Sequence, residues 1–443
     1  MCHGTDRDTI PGPGGRRAGS SPHHRRRTGG ERRGRRVAAD PAAHSHRPSG
    51  APDGDVKEDM MRIRNLTALG ASAALVFSVA GCAGGGAGSG DDGGGDEAPE
   101  DMSVGVAMPT QTYERWLKDG DNIEAGLEDL GYDVELQYAD DDIPTQSQQI
   151  DQMITQGVDA LIVAAIDGSA LTAQLDAAEA ADIPVISYDR LLTDSENVDF
   201  YVTFDNYNVG VNQANALLYG LGILDQDFEP AEDAPEDPLN IELFAGSLDD
   251  SNSHHFWDGA IDTLQPYLDD GTLQVPSGQT DIEQAATQRW EQETAQTRME
   301  NLLTTHYNAG EQIDGVLAPA DPLSRGIITA LRSDGRGETI EDGLPIVTGQ
   351  DAEIASVKLI ADGVQHSTIF KDTRDLADQA VEAADTYLQG GEPEPNDTET
   401  YDNGAKVVPS YLLEVQMVLE ENYEEILVDS GYYTEEQVDS GQM

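Results

Sequence analysis

The chain of 443 residues has only two cysteines, Cys2 and Cys82, and both precede the part that reads as folded. Residues 102–443 therefore offer no disulfide framework and no thiolate metal site. Positive charge is nearly as scarce. Of the 26 Lys and Arg, 12 fall in residues 1–59 and two in residues 60–81, which leaves 12 in residues 82–443 against 76 of the 84 Asp and Glu. Phosphate binding needs a basic face, so this balance excludes a nucleic-acid partner, and it disfavours docking on anionic lipid by charge. Acidic excess with few lysines instead suits a surface adapted to high salt, where screening over roughly 3 Å at 1 M suppresses self-repulsion. Long apolar runs are also missing. The longest, Leu66 to Val79, is too short and too weakly flanked for a spanning helix.

Three unlike pieces make up the N-terminal region. Residues 1–59, with "GGRRAGSSPHHRRRTGGERRGRR", lack apolar periodicity and cannot form a core. They read as an upstream extension, through a misassigned start codon, rather than as a nucleic-acid arm, which only bulk charge supports. "MMRIRNLTALGASAALVFSVAGC" then gives a positive n-region at Arg62 and Arg64, followed by an apolar h-region of signal-peptide length. Its end, "VAGC", resembles a bacterial lipobox, in which Cys82 becomes the lipid-bearing first residue. The Gly/Ser/Asp stretch "AGGGAGSGDDGGGDEAPED" follows as a flexible acidic tether over residues 82–101.

From Met102 the pattern becomes regular. "SVGVAM", "DVELQYA", "ALIVAAI" and "PVISYD" read as strands, separated by helical patterns in which Gly131 and Gly157 supply stop signals. The alternation restarts at "NIELFAGS" and runs through "IDGVLAP" and "LPIVTGQD". Strand and helix alternating at short spacing predict parallel sheets covered by helices on both faces, here as two successive α/β units.

In open parallel sheets, ligands bind beyond the carboxyl ends of the strands. The polar clusters that follow the predicted strands are therefore the candidates: "YERW" with Arg115 and Trp116, "DG" with Asp167, "YDR" with Asp189 and Arg190, "DDSN" with Asn252, "PADP" with Asp321, "TGQD" with Gln350 and Asp351, and Lys371 closing "STIFK". Cations interleaved with carboxylates suit a neutral polyol, because guanidinium, carboxylate and amide groups each take two neighbouring hydroxyls while an aromatic face covers C–H groups. Trp290 in "QRW" is a second aromatic candidate. Blander roles are open to the same residues: Asp189–Arg190 as a structural ion pair, Trp116 as core cover, and Trp257 as packing. His254 and His255 are adjacent and point apart on a helix, and the "DDD" at Asp140 to Asp142 lacks spaced ligands and a turn glycine, so neither predicts a metal site.

The stretches "GVAMPT…RW", "LQYADDDIPTQ", "YDRLL", "TFDNYNVG", "NIELFAGSLDDSN", "TGQDAE", "STIFKDTR" and "NDTETYDNGAKVVPSYLL" resemble periplasmic sugar-binding proteins of the ChvE type, multiple-sugar receptors close to the xylose-binding proteins. This resemblance implies an α/β fold of two hinged lobes, the type I periplasmic binding protein, with a doubly wound parallel sheet in each lobe. It implies no enzymatic activity and no cofactor. Its expected partners are a monosaccharide (an aldose such as xylose, galactose, glucose or arabinose) and the ABC permease of a sugar importer. The protein is expected to be a monomer on the outer face of the cell membrane, attached by its lipid anchor only. Carried over by position, Arg115 and Trp116 form the first-lobe wall, and Asp189 and Arg190 meet the sugar hydroxyls. Asn252, Asp351 and Lys371 close from the other lobe, with Asp167, Asn206, Trp290, Asp321 and Gln350 near the crevice. Such relatives carry Tyr or Asn before the aspartate of "PADP", where this chain has Ala320.

The resemblance also implies interleaved lobes, residues 102–204 with 372–409 and residues 205–371 with 410–443, hinged at crossings near Phe204, Lys371 and Ser410. Two other classes lack their signals. An enzyme would need a nucleophile motif or a metal-ligand cluster, and a transcription regulator would need a DNA-binding helix pair where the signal-like segment and acidic tether stand. A receptor addressing a membrane sensor instead of a permease differs only in its partner.

Overall fold

The computed structural model describes Pro99, residues 102–307 and residues 310–443; Cys82, the signal-like segment and the tether lie outside these residues. The first α/β unit places β1 (Ser103–Met108), β2 (Asp133–Tyr138), β3 (Ala160–Val163), β4 (Val185–Tyr188) and β5 (Phe200–Phe204) in one parallel sheet. The interior strands β1, β3, β4 and β5 are almost continuously apolar because helices cover both their faces, whereas the edge strand β2, "DVELQY", alternates and is half-exposed. Between the strands lie α1 (Glu114–Leu130), α2 (Ile143–Gln156) and α3 (Thr172–Glu179). Gly131 and Gly157 end α1 and α2 in the left-handed conformation, at φ 98° and 83°, which leaves their N–H groups free to bond the last helical carbonyls.

The second unit runs α4 (Asn206–Gly220), β6 (Leu239–Leu243), α5 (Asn252–Asp270), β7 (Leu273–Gln274), α6 (Ile282–Ala285), α7 (Gln292–His306), β8 (Gly315–Leu317), α8 (Asp321–Ser333), β9 (Ile346–Val347) and α9 (Ile354–Ala361). Its four strands form a parallel sheet in the order β7-β6-β8-β9. The chain then pairs β10 (Ser367–Phe370) with β12 (Gln416–Leu419) in an antiparallel ribbon. From β10 it enters α10 (Thr373–Leu388), which packs on α1 of the first unit, and it ends in α11 (Glu435–Ser440) against α9.

The third crossing is expected near Ser410, and the pairing of the strands refines where the chain changes sheet. β11 (Ser410–Leu413) pairs in parallel with β5, giving the first sheet the order β11-β5-β4-β3-β1-β2, so the chain leaves that sheet only between Leu413 and Gln416. Tyr411 and Leu413 pack against the core of the first unit. Helix α5 starts at Asn252, so His254 and His255 lie on a helix as the sequence reading has them.

Within the second unit, α4 and α5 approach through bare glycines. A Cβ on Gly210 would stand 2.0 Å from the Phe256 carbonyl oxygen, and one on Gly259 would stand 2.1 Å from that of Tyr207. Both obstacles are backbone, which cannot rotate away. Gly259→Ala should therefore destabilise the protein by about 2 kcal/mol despite the better helix propensity of alanine. Urea unfolding checks this, and an unchanged midpoint would show that the two helices can part without loss.

Candidate functional site

The carboxyl ends of both sheets face one cavity of about 460 Å³ between the units. Its organising group is the Arg115 guanidinium, one residue into α1 just after β1 and only 6% exposed. Nε and Nη2 both donate to Asp119 Oδ2 at 3.1 Å, one helical turn on. Nη2 also donates to Asp189 Oδ2 at 2.9 Å, at the end of β4, and Nη1 to Asp351 Oδ1 at 3.3 Å, in the second unit. Behind this cluster the buried Tyr188 hydroxyl donates to Asp119 Oδ1 at 2.5 Å.

A second guanidinium also crosses the cleft. Arg190 Nε lies 3.1 Å from Asp250 Oδ2, and Nη1 donates to the Ala165 carbonyl at 3.1 Å. The Trp116 ring adjoins both arginines, with its centroid 4.4 Å from Arg115 Cζ and 5.1 Å from Arg190 Cζ. Trp116 belongs to the core of the first unit and lines the cavity as well. Each cation electrostatically favours the electron-rich indole face.

The second unit supplies the opposite wall. Asn252, at the start of α5, donates through Nδ2 to the Asp189 carbonyl at 2.7 Å, and its Oδ1 lies 3.0 Å from the Tyr201 hydroxyl. Lys371 Nζ sits 2.9 Å from Asp351 Oδ1. Trp290 donates through Nε1 to Asp250 Oδ2 at 3.2 Å and meets Phe256 edge to face at 6.3 Å. The Tyr113 hydroxyl donates to the Trp290 carbonyl at 3.1 Å, a further tie across the cleft. Gln350, 2% exposed, completes this wall.

Nine of the twelve ligand candidates read from the sequence line the cavity: Arg115, Trp116, Asp189, Arg190, Asn252, Trp290, Gln350, Asp351 and Lys371. Three do not. Asp167 turns its carboxylate onto the Ser169 N–H and hydroxyl at 2.9 and 2.7 Å. Asn206 lies one layer behind, donating to Asn252 Oδ1 at 3.1 Å. Asp321 is fully buried and accepts from the Glu353 N–H and Gln365 Nε2, both at 2.8 Å. Sequence reasoning missed Tyr113, Asp250, Phe256, Pro322 and Glu353, which also line the cavity, and Ala320 presents its methyl there. Only Asp250 carried a signal, two residues ahead of Asn252 in "DDSN".

Charge in the cavity is close to balanced. Arg115, Arg190 and Lys371 face Asp189, Asp250 and Asp351, while Glu353 is held from outside the cavity by Arg325 at 2.5 Å. Burial pushes the carboxyls upward, but at Asp189 the surrounding Arg115, Lys371 and Arg190 outweigh it and hold the group below the usual range. Asp250 and Glu353 stay raised because burial exceeds the pull of Arg190 and Arg325 respectively. Among the described residues no group of three or more His, Cys, Asp or Glu is arranged to hold a metal ion.

Two parallel sheets with a polar cavity at their carboxyl ends agree with the comparisons to known proteins. A model of the periplasmic binding protein domain matches residues 104–392. The multiple sugar-binding periplasmic receptor ChvE of Rhizobium radiobacter is 50% identical over 341 residues, covering 77% of this chain and 93% of its own. The D-xylose-binding periplasmic protein of Escherichia coli (strain K12) is 34% identical over 339 residues, 76% of this chain and 93% of its own. A solved ABC transporter solute-binding protein from Clostridium phytofermentans, with bound β-D-glucose, has a TM-score of 0.71 and 44% identity over 76% of this chain and 100% of its own. These relatives are binding proteins rather than enzymes, and with two α/β units meeting at one cleft the chain belongs to the periplasmic binding protein family.

Proposed function

We propose that the protein is the extracytoplasmic receptor of an ABC-type sugar importer, taking a monosaccharide of the glucose and xylose class into the cleft between its lobes. The observation that carries this reading is the charge-balanced cavity, in which indole faces adjoin forked polar groups drawn from both lobes. A sugar needs both: rings to cover its C–H faces, and planar donors and acceptors to match neighbouring hydroxyls. The relatives named for multiple sugars, for D-xylose and with bound glucose support the ligand class.

The geometry suggests how binding drives closure. Arg115 meets Asp351, and Arg190 meets Asp250, only while the lobes are together. A sugar seated on Trp116, Asp189 and Arg190 would offer further hydroxyls to Asn252, Asp351 and Lys371, so ligand favours the closed form that a permease reads. Ala320 leaves that corner of the wall small and apolar, and this shapes the preference among aldoses. The lipobox-like "VAGC" supports anchoring through Cys82, which would keep the receptor at the membrane; among the described residues no helix is long and apolar enough to cross it.

A thermal-shift panel in high salt with D-glucose, D-xylose, galactose, arabinose, ribose and fucose tests the ligand class. Several aldoses should each stabilise the purified protein by about 2.7 kcal/mol at 100 times the dissociation constant. Arg190→Ala should keep a cooperative melt and lose the ligand shift. A flat response of the wild type to all six sugars would overturn the reading.

Asp119 adds a pH dependence. Burial raises its carboxyl from 3.8 to about 6, even though Arg115 and Tyr188 pull it down. Because the folded state holds this proton more tightly than the unfolded chain does, the Asp119 contribution to stability is highest at low pH. It falls as pH rises from 3.8 to about 6 and is level above. The unfolding free energy of wild type minus that of Asp119→Asn should thus drop by about 3 kcal/mol across this window. A difference that stays constant would remove Asp119 from the titration. For the anchor, radiolabelled palmitate should enter the exported protein and be lost in Cys82→Ser; equal labelling of both would sink that assignment.

A further inference from the structure

Asp351, the carboxylate shared by Arg115 and Lys371, sits on strained backbone. It and Ala352 are consecutive non-glycine residues in the left-handed region, at φ 88° and 46°. Side chains disfavour that conformation, so the pair persists only where its surroundings hold it. The Asp351 N–H donates to the Ile369 carbonyl at 2.9 Å, and the Ala352 N–H to Thr368 Oγ1 at 3.1 Å, both on β10. The Ala352 carbonyl is held by the Tyr433 hydroxyl at 2.9 Å. Tyr433 lies far along the chain, just ahead of α11, 3% exposed in a cluster with Ala352, Ile354 and Phe370.

The same hydroxyl lies 2.6 Å from Glu114 Oε1, which belongs to the other lobe and directly precedes Arg115 on α1. Glu114 Oε2 accepts the Ile354 N–H at 3.2 Å. Two adjacent residues of α1 therefore grip both ends of the strained turn: Arg115 takes the Asp351 side chain, and Glu114 takes the Tyr433 hydroxyl and the Ile354 amide. The Lys118 ammonium neutralises Glu114 at 2.9 Å and covers the Tyr432 and Tyr433 rings at 4.0 and 3.9 Å from their centroids.

We propose that Tyr433 is a positioning residue for the ligand cleft: its single hydroxyl proton is shared between the Ala352 carbonyl and Glu114, which ties the turn that presents the Asp351 carboxylate to α1 of the opposite lobe. The inference rests on the sugar-binding reading for its ligand, and on this turn alone for its geometry. A hydroxyl with one proton and two acceptors senses both the turn and closure, because Glu114 approaches only from the opposite lobe.

The test compares wild type, Tyr433→Phe, Glu114→Gln, the double variant and Tyr432→Phe by calorimetric titration with D-glucose and D-xylose. Crystal structures of wild type and Tyr433→Phe accompany it. Tyr433→Phe keeps the ring and loses one hydrogen bond, so affinity should fall about fivefold. Glu114→Gln should also weaken binding, and the double variant should bind less weakly than the two separate losses multiplied, because both act on one hydroxyl. Tyr432→Phe, which loses only a contact to Thr373, should bind as wild type does. In the Tyr433→Phe crystal the Asp351 carboxylate should leave Lys371. Wild-type affinity in Tyr433→Phe, or an equal loss in Tyr432→Phe, overturns the inference while the sugar reading stands. A wild type that binds neither sugar strikes the sugar reading, and the turn geometry then decides the positioning role alone.

Discussion

One buried guanidinium governs how this molecule holds together at its cleft. Arg115 is almost wholly removed from water, and burial by itself would lower the pKa of its guanidinium; Asp189, Asp119 and Asp351 more than compensate and hold the group well above its ordinary range. Removing one partner of a buried ion pair typically costs about 3–5 kcal/mol, so none of these carboxylates is dispensable to the others. Two of them belong to the first lobe and the third to the second. The full complement of partners of this one side chain therefore spans both lobes.

The scarcity of positive charge gives this arrangement its meaning. An acidic surface repels itself, and at high salt that repulsion is screened; inside the cleft no such screening reaches. There the balance has to be local. Three cations are matched by three carboxylates at hydrogen-bonding distance, and the fourth carboxylate, Glu353, carries its own arginine. A net anionic cleft would demand a cationic ligand, and a net cationic one an anion. Near neutrality, with donors and acceptors already paired to each other, favours a guest that exchanges hydrogen bonds without bringing charge.

Much of this was legible in the sequence, and the physical reason differs from part to part. β1, β3 and β4 announce themselves because strands buried on both faces must be apolar throughout. Gly131 and Gly157 mark helix ends because the left-handed cap admits them without strain. The rule that ligands lie beyond strand ends then gathered Arg115, Asp189, Asn252, Asp351 and Lys371 without any coordinates. What stayed hidden was set by tertiary contact. Asp321 follows a strand as faithfully as Asp351 does, yet it turns inward to Gln365 and the Glu353 amide. Tyr113 and Phe256 carry no spacing signal, since an aromatic in a loop or helix start reads as core until its neighbours are known. Residues 410–413 could be assigned to the first sheet only from their pairing with β5.

Backbone conformation points to the same place as charge. Asp189, Arg289, Trp290, Asp351 and Ala352 all take positive φ without being glycine, and Asp189, Trp290 and Asp351 line the cavity while Arg289 and Ala352 directly adjoin two of them. Strain of this kind needs neighbours that over-determine it, and it concentrates where a side chain must be aimed. Asp189 is aimed by Tyr201 and Thr203, whose hydroxyls both bond its carbonyl, at 2.6 and 2.9 Å. Trp290 is aimed by Tyr113, and its ring passes so close to Gly246 that a Cβ there would fall 2.1 Å from the indole. Glycine at 246 is thus required by the ring and not by its own backbone, which inverts the usual reading of a glycine in a loop. The site thus contains side chains held in unfavourable backbone positions by hydroxyl hydrogen bonds, from Tyr201 and Thr203 at Asp189 and from Tyr113, across the cleft, at Trp290.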